Sequence, residues 1–174
     1  MAEIEDGRKF EKIALDFLKQ NNLPEAESNF IQALTHMKQS GDEEGQAYVL
    51  GNLGNLCFQS RRLDKAEEYY GKALTYMEKV NDIRGIESSL GNLGSVLFYK
   101  GNLNEAEKTY KKALKFLEDA NDTEGQSIYN ENLGNVYLKK EELAKAEDYF
   151  NRAKTLLDSE KNKDRIKAVE DKLD

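Results

Sequence analysis

Asparagine residues occur at regular places in this sequence, and their side chains could bind a peptide backbone. Asn52, Asn92 and Asn132 follow one another at intervals of 40 residues. An asparagine side chain carries both a hydrogen-bond donor and an acceptor, so it can pair with the N–H and C=O groups of another chain. A row of them could hold an extended segment with little regard to its side chains. Alternatively, these asparagines are solvated or pair with one another.

Side chains suited to catalysis or metal binding are scarce. The single histidine, His36, and the single cysteine, Cys57, occupy positions that carry aromatic or aliphatic residues 40 residues away, so both are predicted to pack between helices. One cysteine excludes an internal disulfide framework and a cysteine-based zinc site. Glutamate and aspartate alternate with lysine, which is the usual pattern of solvated helix faces. We therefore expect no enzyme, no metal site and no cofactor.

Charge and hydropathy limit the classes of partner. The net charge of −7 at pH 7 disfavours attraction to nucleic acid or to anionic lipid. The first residues, MAEIEDGRKF, lack the apolar core of a secretory signal. No run approaches the roughly 18 apolar residues that would span a membrane. We expect a soluble cytoplasmic protein whose partner is neither a nucleic acid nor a membrane.

The 40-residue period extends through most of the chain. Leucine recurs once per period, at Leu23, Leu63, Leu103 and Leu143. Three residues after each leucine an Ala-Glu pair begins, at Ala26-Glu27, Ala66-Glu67, Ala106-Glu107 and Ala146-Glu147. A fixed period of this size indicates stacked supersecondary units. We predict a single domain over residues 1–174, with repeats over about residues 5–41, 42–81, 82–121 and 122–160 and a capping helix over about residues 161–173.

Each repeat contains two helical patterns separated by turn residues. The stretch GQAYVLGNLGNLCFQS, residues 45–60, represents the first helix, and LNEAEKTYKKALKFLEDA, residues 103–120, represents the second. Glycine or asparagine followed by aspartate separates the repeats, because the first tolerates a left-handed helix end and the second caps the next helix. These pairs are Gly41-Asp42, Asn81-Asp82 and Asn121-Asp122.

Glycine also occurs inside the first helices, at Gly54, Gly94 and Gly134. A glycine inside a helix costs about 1 kcal/mol relative to alanine. Its retention predicts that the two helices of a repeat cross closely at this point. We expect the alanines at 66, 106 and 146 of the second helices to fill the gap.

These residues resemble the tetratricopeptide repeat signature. Leu53-Gly54, Cys57, Ala66, Tyr70 and Ala73 match its pattern, and the match recurs in the two following repeats. The 40-residue length and the Leu-Gly-Asn triplets are similar to a longer subclass found in spindle-orientation scaffold proteins. The resemblance implies an all-α fold, a right-handed superhelical α-solenoid of four helix-turn-helix units with a C-terminal capping helix.

The resemblance also implies a function, because the first helices of such repeats line a concave groove. We predict a protein–protein interaction scaffold that binds an extended segment of a partner through its asparagines. The alternative is a structural or self-associating spacer that assembles through repeat ends or a convex face. We expect a monomer, with a homo-oligomer as the alternative. The candidate peptide-binding residues are Arg8, Lys12, Lys19, Tyr48, Asn52, Asn55, Gln59, Ser88, Asn92, Ser95, Tyr99, Ile128, Asn132, Asn135 and Lys139.

Overall fold

All regular secondary structure in the described part of the chain is α-helical. The structure is a computed structural model that describes residues 2–157 and 162–172. The all-α prediction is confirmed. The ends of the predicted fourth repeat and of the capping helix, at 158–161 and 173, lie outside the described residues. The helices are α1 (Ala2–Lys19), α2 (Leu23–Ser40), α3 (Glu43–Gln59), α4 (Leu63–Lys79), α5 (Ile83–Lys100), α6 (Leu103–Asp119), α7 (Thr123–Lys139), α8 (Leu143–Leu156) and α9 (Lys163–Glu170).

The helices pack as helix-turn-helix repeats within two compact units, which we call unit 1 (Met1–Val96) and unit 2 (Leu97–Asp174). In unit 1, α1 packs against α2, α3 packs against α4, and α2 also contacts α3. In unit 2, α6 contacts α7, α7 packs against α8, and α9 contacts α8. This repeat packing confirms the α-solenoid class. The grouping of all four repeats into a single domain stays a prediction.

The turns between repeats have the predicted conformation. The glycine or asparagine that ends each second helix is left-handed, with φ angles of 71° at Gly41, 54° at Asn81 and 55° at Asn121. The aspartate that follows accepts a hydrogen bond from a backbone N–H group in the next helix and thereby caps it. These hydrogen bonds are Gly45 to Asp42 at 2.8 Å, Gly85 to Asp82 at 3.0 Å and Gly125 to Asp122 at 2.9 Å.

The turns inside the repeats also contain one left-handed residue each. Asn21 and Gly101 have φ angles of 56° and 83°, and these residue types adopt this conformation readily. Arg61 and Glu141 have φ angles of 60° and 61°, although their side chains disfavour it. The backbone at Arg61 and at Glu141 is therefore strained, which glycine at either position would avoid.

The core of unit 1 contains the residues that the repeat pattern marks as apolar. Phe30 and Cys57 are fully buried, and Tyr70 is only 2% exposed. Cys57 packs with Ala66, Tyr70 and Val96, as predicted for a core residue. His36 is half-buried and stacks on Phe10 with ring centres 5.4 Å apart, which agrees with the predicted packing role.

The glycines inside the first helices are in close contact, but the predicted partner was wrong. A Cβ atom built on Gly54 would lie 2.6 Å from two ring carbons of Tyr70, and one built on Gly134 would lie 2.5 Å from a ring carbon of Phe150. An aromatic ring of the second helix, and not the small alanine at 66 or 146, fills the gap. The ring is long enough to lie across the bare backbone of the first helix.

The glutamate of the repeated Ala-Glu pair connects neighbouring repeats within unit 1. Arg62, in the turn between α3 and α4, donates hydrogen bonds of 2.8 and 2.9 Å to the two carboxylate oxygens of Glu27 on α2. These hydrogen bonds lower the pKa of Glu27, although its burial acts in the opposite direction. A bidentate arginine–carboxylate pair is stronger and more specific than a single ion pair. It therefore helps to fix the second repeat against the first.

Glu107 occupies the same repeat position in unit 2 and contacts three donors. It accepts hydrogen bonds from Tyr137 at 2.6 Å, Lys111 at 2.7 Å and Lys140 at 2.8 Å. Burial raises the pKa of Glu107, but the hydrogen bonds from Lys111, Lys140 and Tyr137 outweigh it and lower the pKa to about 2. The carboxylate thus joins α6 to α7 and to the turn that follows α7.

Helix α9 covers the last repeat, as predicted for a capping helix. Val169 is fully buried and packs with Tyr137, Ala146 and Phe150. Beside this contact, Lys172 lies 2.7 Å from a carboxylate oxygen of Glu131 on α7. The predicted stripe of the capping helix also included Leu173, which lies outside the described residues.

Candidate peptide-binding surface

The candidate residues of unit 1 all lie on the first helices α1, α3 and α5, and none is buried. Side chains three or four residues apart share one face of a helix, so each set forms a stripe along its helix. We call these ten residues the unit 1 stripe. Its exposed members are Arg8, Lys12, Lys19, Tyr48, Asn55, Gln59 and Ser88. Its half-buried members are Asn52, Asn92 and Ser95.

A cavity of ≈ 360 Å³ brings part of the unit 1 stripe together. Gly51 lies in its lining, and a Cβ atom built on Gly51 would meet no atom within 4 Å. The glycine therefore faces open space, unlike the closely packed Gly54. The stripe residues that line the cavity are Tyr48, Asn52, Asn55, Ser88 and Asn92.

Two asparagines of the unit 1 stripe, Asn55 and Asn92, are joined by one hydrogen bond. The Asn92 Nδ2 group donates to Asn55 Oδ1 at 3.4 Å, and the Tyr70 hydroxyl donates to the same oxygen at 2.6 Å. Asn92 thus pairs with another asparagine of the stripe, Asn55, which is not one of the three asparagines at 52, 92 and 132 for which pairing was the alternative. Sequence reasoning placed Tyr70 only in the core. The sequence signal for a polar contact of Tyr70 was its hydroxyl group, because Phe30 and Phe150 occupy the same repeat position without a hydroxyl.

Tyr48 is held in place by a carboxylate. Its hydroxyl donates a 2.9 Å hydrogen bond to Oδ2 of Asp82, while its side chain stays 42% exposed. The backbone hydrogen bond from Gly85 lowers the pKa of Asp82, and the Tyr48 hydroxyl adds to this effect against the influence of burial. Asp82 is therefore an anion that both caps α5 and orients the exposed Tyr48 ring.

Two cationic side chains of the unit 1 stripe have acidic neighbours within the same unit. A guanidinium nitrogen of Arg8 lies 3.2 Å from a carboxylate oxygen of Asp42, and the ammonium group of Lys19 lies 3.0 Å from Asp16. These neighbours offset part of the positive charge. The stripe is thus mainly a polar, uncharged surface around its asparagines.

Unit 2 carries the remaining candidates, Tyr99, Ile128, Asn132, Asn135 and Lys139, which we call the unit 2 stripe. Tyr99 is 53% exposed and Ile128 is 44% exposed, whereas Asn132 and Asn135 are half-buried. The ammonium group of Lys139 lies 4.9 Å from the centre of the Phe98 ring. A cation at this distance is attracted to the face of the ring. The unit 2 stripe thus combines amide groups with exposed apolar surface.

The described residues contain neither a metal-ligating cluster nor a helix that could span a membrane. No group of three or more His, Cys, Asp or Glu side chains in that part of the chain could hold a metal ion. Within residues 2–157 and 162–172, no helix has both the length and the hydropathy needed to cross a membrane.

Comparison with known proteins gives one family match. A profile described as the tetratricopeptide repeat matches residues 7–79 and 85–159. No curated protein matches the sequence.

Several solved structures are similar in fold. BtubC (BKLC) from P. vanneervenii is 24% identical with a TM-score of 0.80, covering 86% of this chain and 62% of that one. The apo form of RapI is 15% identical with a TM-score of 0.87, and the match covers 96% of this chain and 61% of RapI. A STAND protein with a tetratricopeptide repeat sensor, PH0952 from Pyrococcus horikoshii, is 17% identical with a TM-score of 0.89. This match covers 98% of this chain and 27% of PH0952. The chain thus spans less than two thirds of each of these proteins.

Proposed function

The chain belongs to the tetratricopeptide repeat family, whose repeats generally mediate protein–protein interaction, and we propose on this basis that it binds an extended segment of a protein partner. The segment lies along the unit 1 stripe on the first helices. Asparagine side chains pair with its backbone N–H and C=O groups, so binding depends little on the segment's own side chains. The protein acts as a scaffold, because folds of this family are typically non-enzymatic.

One observation carries this proposal. Asn52, Asn55 and Asn92 line the same cavity in unit 1, next to Gly51, whose missing side chain leaves the helix backbone open. An extended segment can approach closely there. Exposed Tyr48, at the same cavity, offers an apolar ring that contacts a segment without blocking the amide groups.

The unit 2 stripe is proposed to bind a partner segment in the same way. Asn132 and Asn135 supply amide groups, and exposed Ile128 and Tyr99 supply apolar contact. The 40-residue repeat also leads us to propose the longer Leu-Gly-Asn subclass. We further propose a cytoplasmic monomer as the functional form.

Selection from a displayed library of random peptides tests the proposal. We expect the wild-type protein to enrich a common motif, and the Asn52→Ala, Asn92→Ala double variant to enrich none. The matched control replaces two exposed asparagines of second helices, Asn104→Ala with Asn151→Ala, and should enrich the wild-type motif. Circular dichroism and thermal melting should be nearly the same for all three proteins, because the changed side chains lie outside the buried core.

Two outcomes would contradict the proposal. Equal enrichment by the double variant would show that the asparagines do not hold the segment. A lack of enrichment on the wild type would favour the spacer alternative. Sedimentation over a concentration range would then distinguish a self-associating spacer from a monomeric one.

A further inference from the structure

We infer that Tyr70 fixes the orientation of the Asn55 side-chain amide, so that unit 1 binds a hydrogen-bond acceptor of its partner at this point. The acceptor is a carbonyl or carboxylate oxygen. This inference rests on the proposed function, because it specifies which group of the bound segment faces Asn55. It makes Tyr70 a positioning residue that acts through Asn55 and determines specificity.

The hydrogen bonds of Asn55 leave only donors free. An amide oxygen has two lone pairs. In Asn55 one accepts the Tyr70 hydroxyl at 2.6 Å and the other accepts Asn92 Nδ2 at 3.4 Å. The oxygen thus has a donor for each lone pair, a close one from Tyr70 and a longer one from Asn92, while the Nδ2 group keeps two N–H donors. A group that binds to Asn55 must accordingly supply an acceptor.

The opposite orientation of the Asn55 amide is unfavourable. A flipped amide would direct N–H groups at both the Tyr70 hydroxyl and Asn92 Nδ2. Nitrogen in an amide is a donor only, so with Asn92 in its present orientation the contact would bring two donors together. The Tyr70 hydroxyl could accept from a flipped Asn55 amide, but its own proton would then lose its acceptor, Asn55 Oδ1. Tyr70 is 2% exposed, and a buried donor without an acceptor is costly. Both neighbours thus favour the same orientation.

A comparison inside the molecule shows that the Tyr70 hydroxyl is not needed for packing. The Tyr70 ring lies against Gly54, and the Phe150 ring lies against Gly134 at a similarly short distance. In both cases an asparagine follows the glycine, at 55 and at 135. Phe150 has no hydroxyl group with which to hold Asn135. The hydroxyl of Tyr70 therefore adds a polar contact to an arrangement that phenylalanine also fills.

The cavity next to Asn55 is suited to an acceptor group. Its lining includes the exposed residue Arg84, whose guanidinium group carries five N–H donors and no acceptor. Asp82 lies in the same lining, but its carboxylate accepts from Tyr48 and from the backbone of Gly85. Asn55 and Arg84, two residues with N–H donors, thus line the same cavity, and the charge of Arg84 also lowers the pKa of Asp82.

A double-mutant cycle tests the inference with a peptide selected on the wild-type protein from the random library. We expect Tyr70→Phe and Asn55→Ala each to weaken binding of that peptide roughly fivefold, the effect of one hydrogen bond. In the Asn55→Ala background, Tyr70→Phe should have no further effect. An equal loss in both backgrounds would show that Tyr70 does not act through Asn55 and would overturn the inference.

The Asn55→Asp variant tests the role of the Asn55 N–H donors separately from that of its acceptor oxygen. The aspartate can still accept the Tyr70 hydroxyl, but it has no N–H group and repels an acceptor. We expect it to weaken binding more than Asn55→Ala does, and wild-type affinity would overturn the inference. Enrichment of Asp or Glu at one peptide position would identify a carboxylate as the acceptor. Enrichment without such a preference would identify a backbone carbonyl.

A spectroscopic readout keeps this inference distinct from the proposed function if no peptide is enriched. The Nδ2 amide signals of Asn55 in a ¹H–¹⁵N spectrum should shift in Tyr70→Phe, while those of Asn135 should not. Unchanged Asn55 signals would overturn the inference irrespective of any peptide. Thermal melting of Tyr70→Phe controls for folding, and we expect a folded protein because phenylalanine occupies this repeat position at 30 and 150.

Discussion

The ring of Tyr70 lies against the backbone of Gly54, so that a Cβ atom at residue 54 would be 2.6 Å from two of its ring carbons. Heavy atoms of this kind pack at about 3.5–4.0 Å. Tyr70 is 2% exposed, and its hydroxyl is bound to Asn55, so the ring has little freedom to move away. This contact explains why a first helix keeps a glycine inside it.

Gly54→Ala should therefore destabilise the protein. The overpacked side chain costs about 1–3 kcal/mol, of which the better helix propensity of alanine offsets roughly 1 kcal/mol. Gly51→Ala, three residues earlier on the same helix, is the matched control. Its Cβ atom meets nothing within 4 Å, so this variant should be more stable than the wild type by up to about 1 kcal/mol. Urea denaturation measures the free energy of unfolding of both variants. Equal effects of the two substitutions would refute the packing explanation.

Glu141→Gly should raise the melting temperature, because Glu141 has a φ angle of 61°. A residue with a side chain loses roughly 1 kcal/mol in the left-handed conformation, whereas glycine adopts it freely. Gly101→Ala is the reverse experiment, since Gly101 has a φ angle of 83° in the equivalent turn. It should lower the melting temperature. Calorimetry of both variants gives the measurement, and a lower melting temperature for Glu141→Gly would contradict the prediction.

Acid should weaken the contribution of Glu107 to stability. Its pKa is lowered from 4.5 to about 2 in the folded protein, so its carboxylate stabilises the fold above pH 4.5. This contribution should decline as the pH falls from 4.5 towards 2. The free energy of unfolding of Glu107→Gln should lie below that of the wild type by about 1–2 kcal/mol at pH 6. The difference should shrink towards pH 2.5.

Urea titrations at a series of pH values measure this difference for Glu107→Gln. Exposed Glu105, two residues earlier on α6, provides the control, and Glu105→Gln should differ little from the wild type throughout the series. A gap between Glu107→Gln and the wild type that stays constant from pH 6 to pH 2.5 would exclude the ion-pair explanation.

Val169→Ala should weaken the cap on the last repeat. The smaller side chain leaves a cavity beside Tyr137 and Phe150, at a cost of roughly 1–3 kcal/mol. Amide hydrogen exchange should accelerate in α7 and α8. The control is Ala168→Ser at the neighbouring exposed position, which should leave exchange unchanged. Unaltered exchange in Val169→Ala would show that α9 does not stabilise the repeat.

The sequence predicted the parts of the fold that depend on local chemistry. Gly41 and Asn81 end helices in the left-handed conformation, and Asp82 caps the following helix, as their residue types indicate. The 40-residue period predicted the repeat packing, because equivalent apolar positions must bury equivalent faces. It also placed the candidate residues on helix faces, since their spacing of three or four residues determines this.

The tertiary structure decided which side chains meet. The repeat pattern gives Tyr70 and Phe150 the same place in the core, and only the packed structure shows that the Tyr70 hydroxyl reaches Asn55. Likewise, Glu107 has many possible cationic partners in the sequence, but the packing of α6 against α7 selects Lys140 and Tyr137. Helical periodicity fixes the direction of each side chain relative to its own helix. The contacts between helices depend on how far each side chain extends and how closely the backbones approach, which for Tyr70 is permitted by the glycine at position 54.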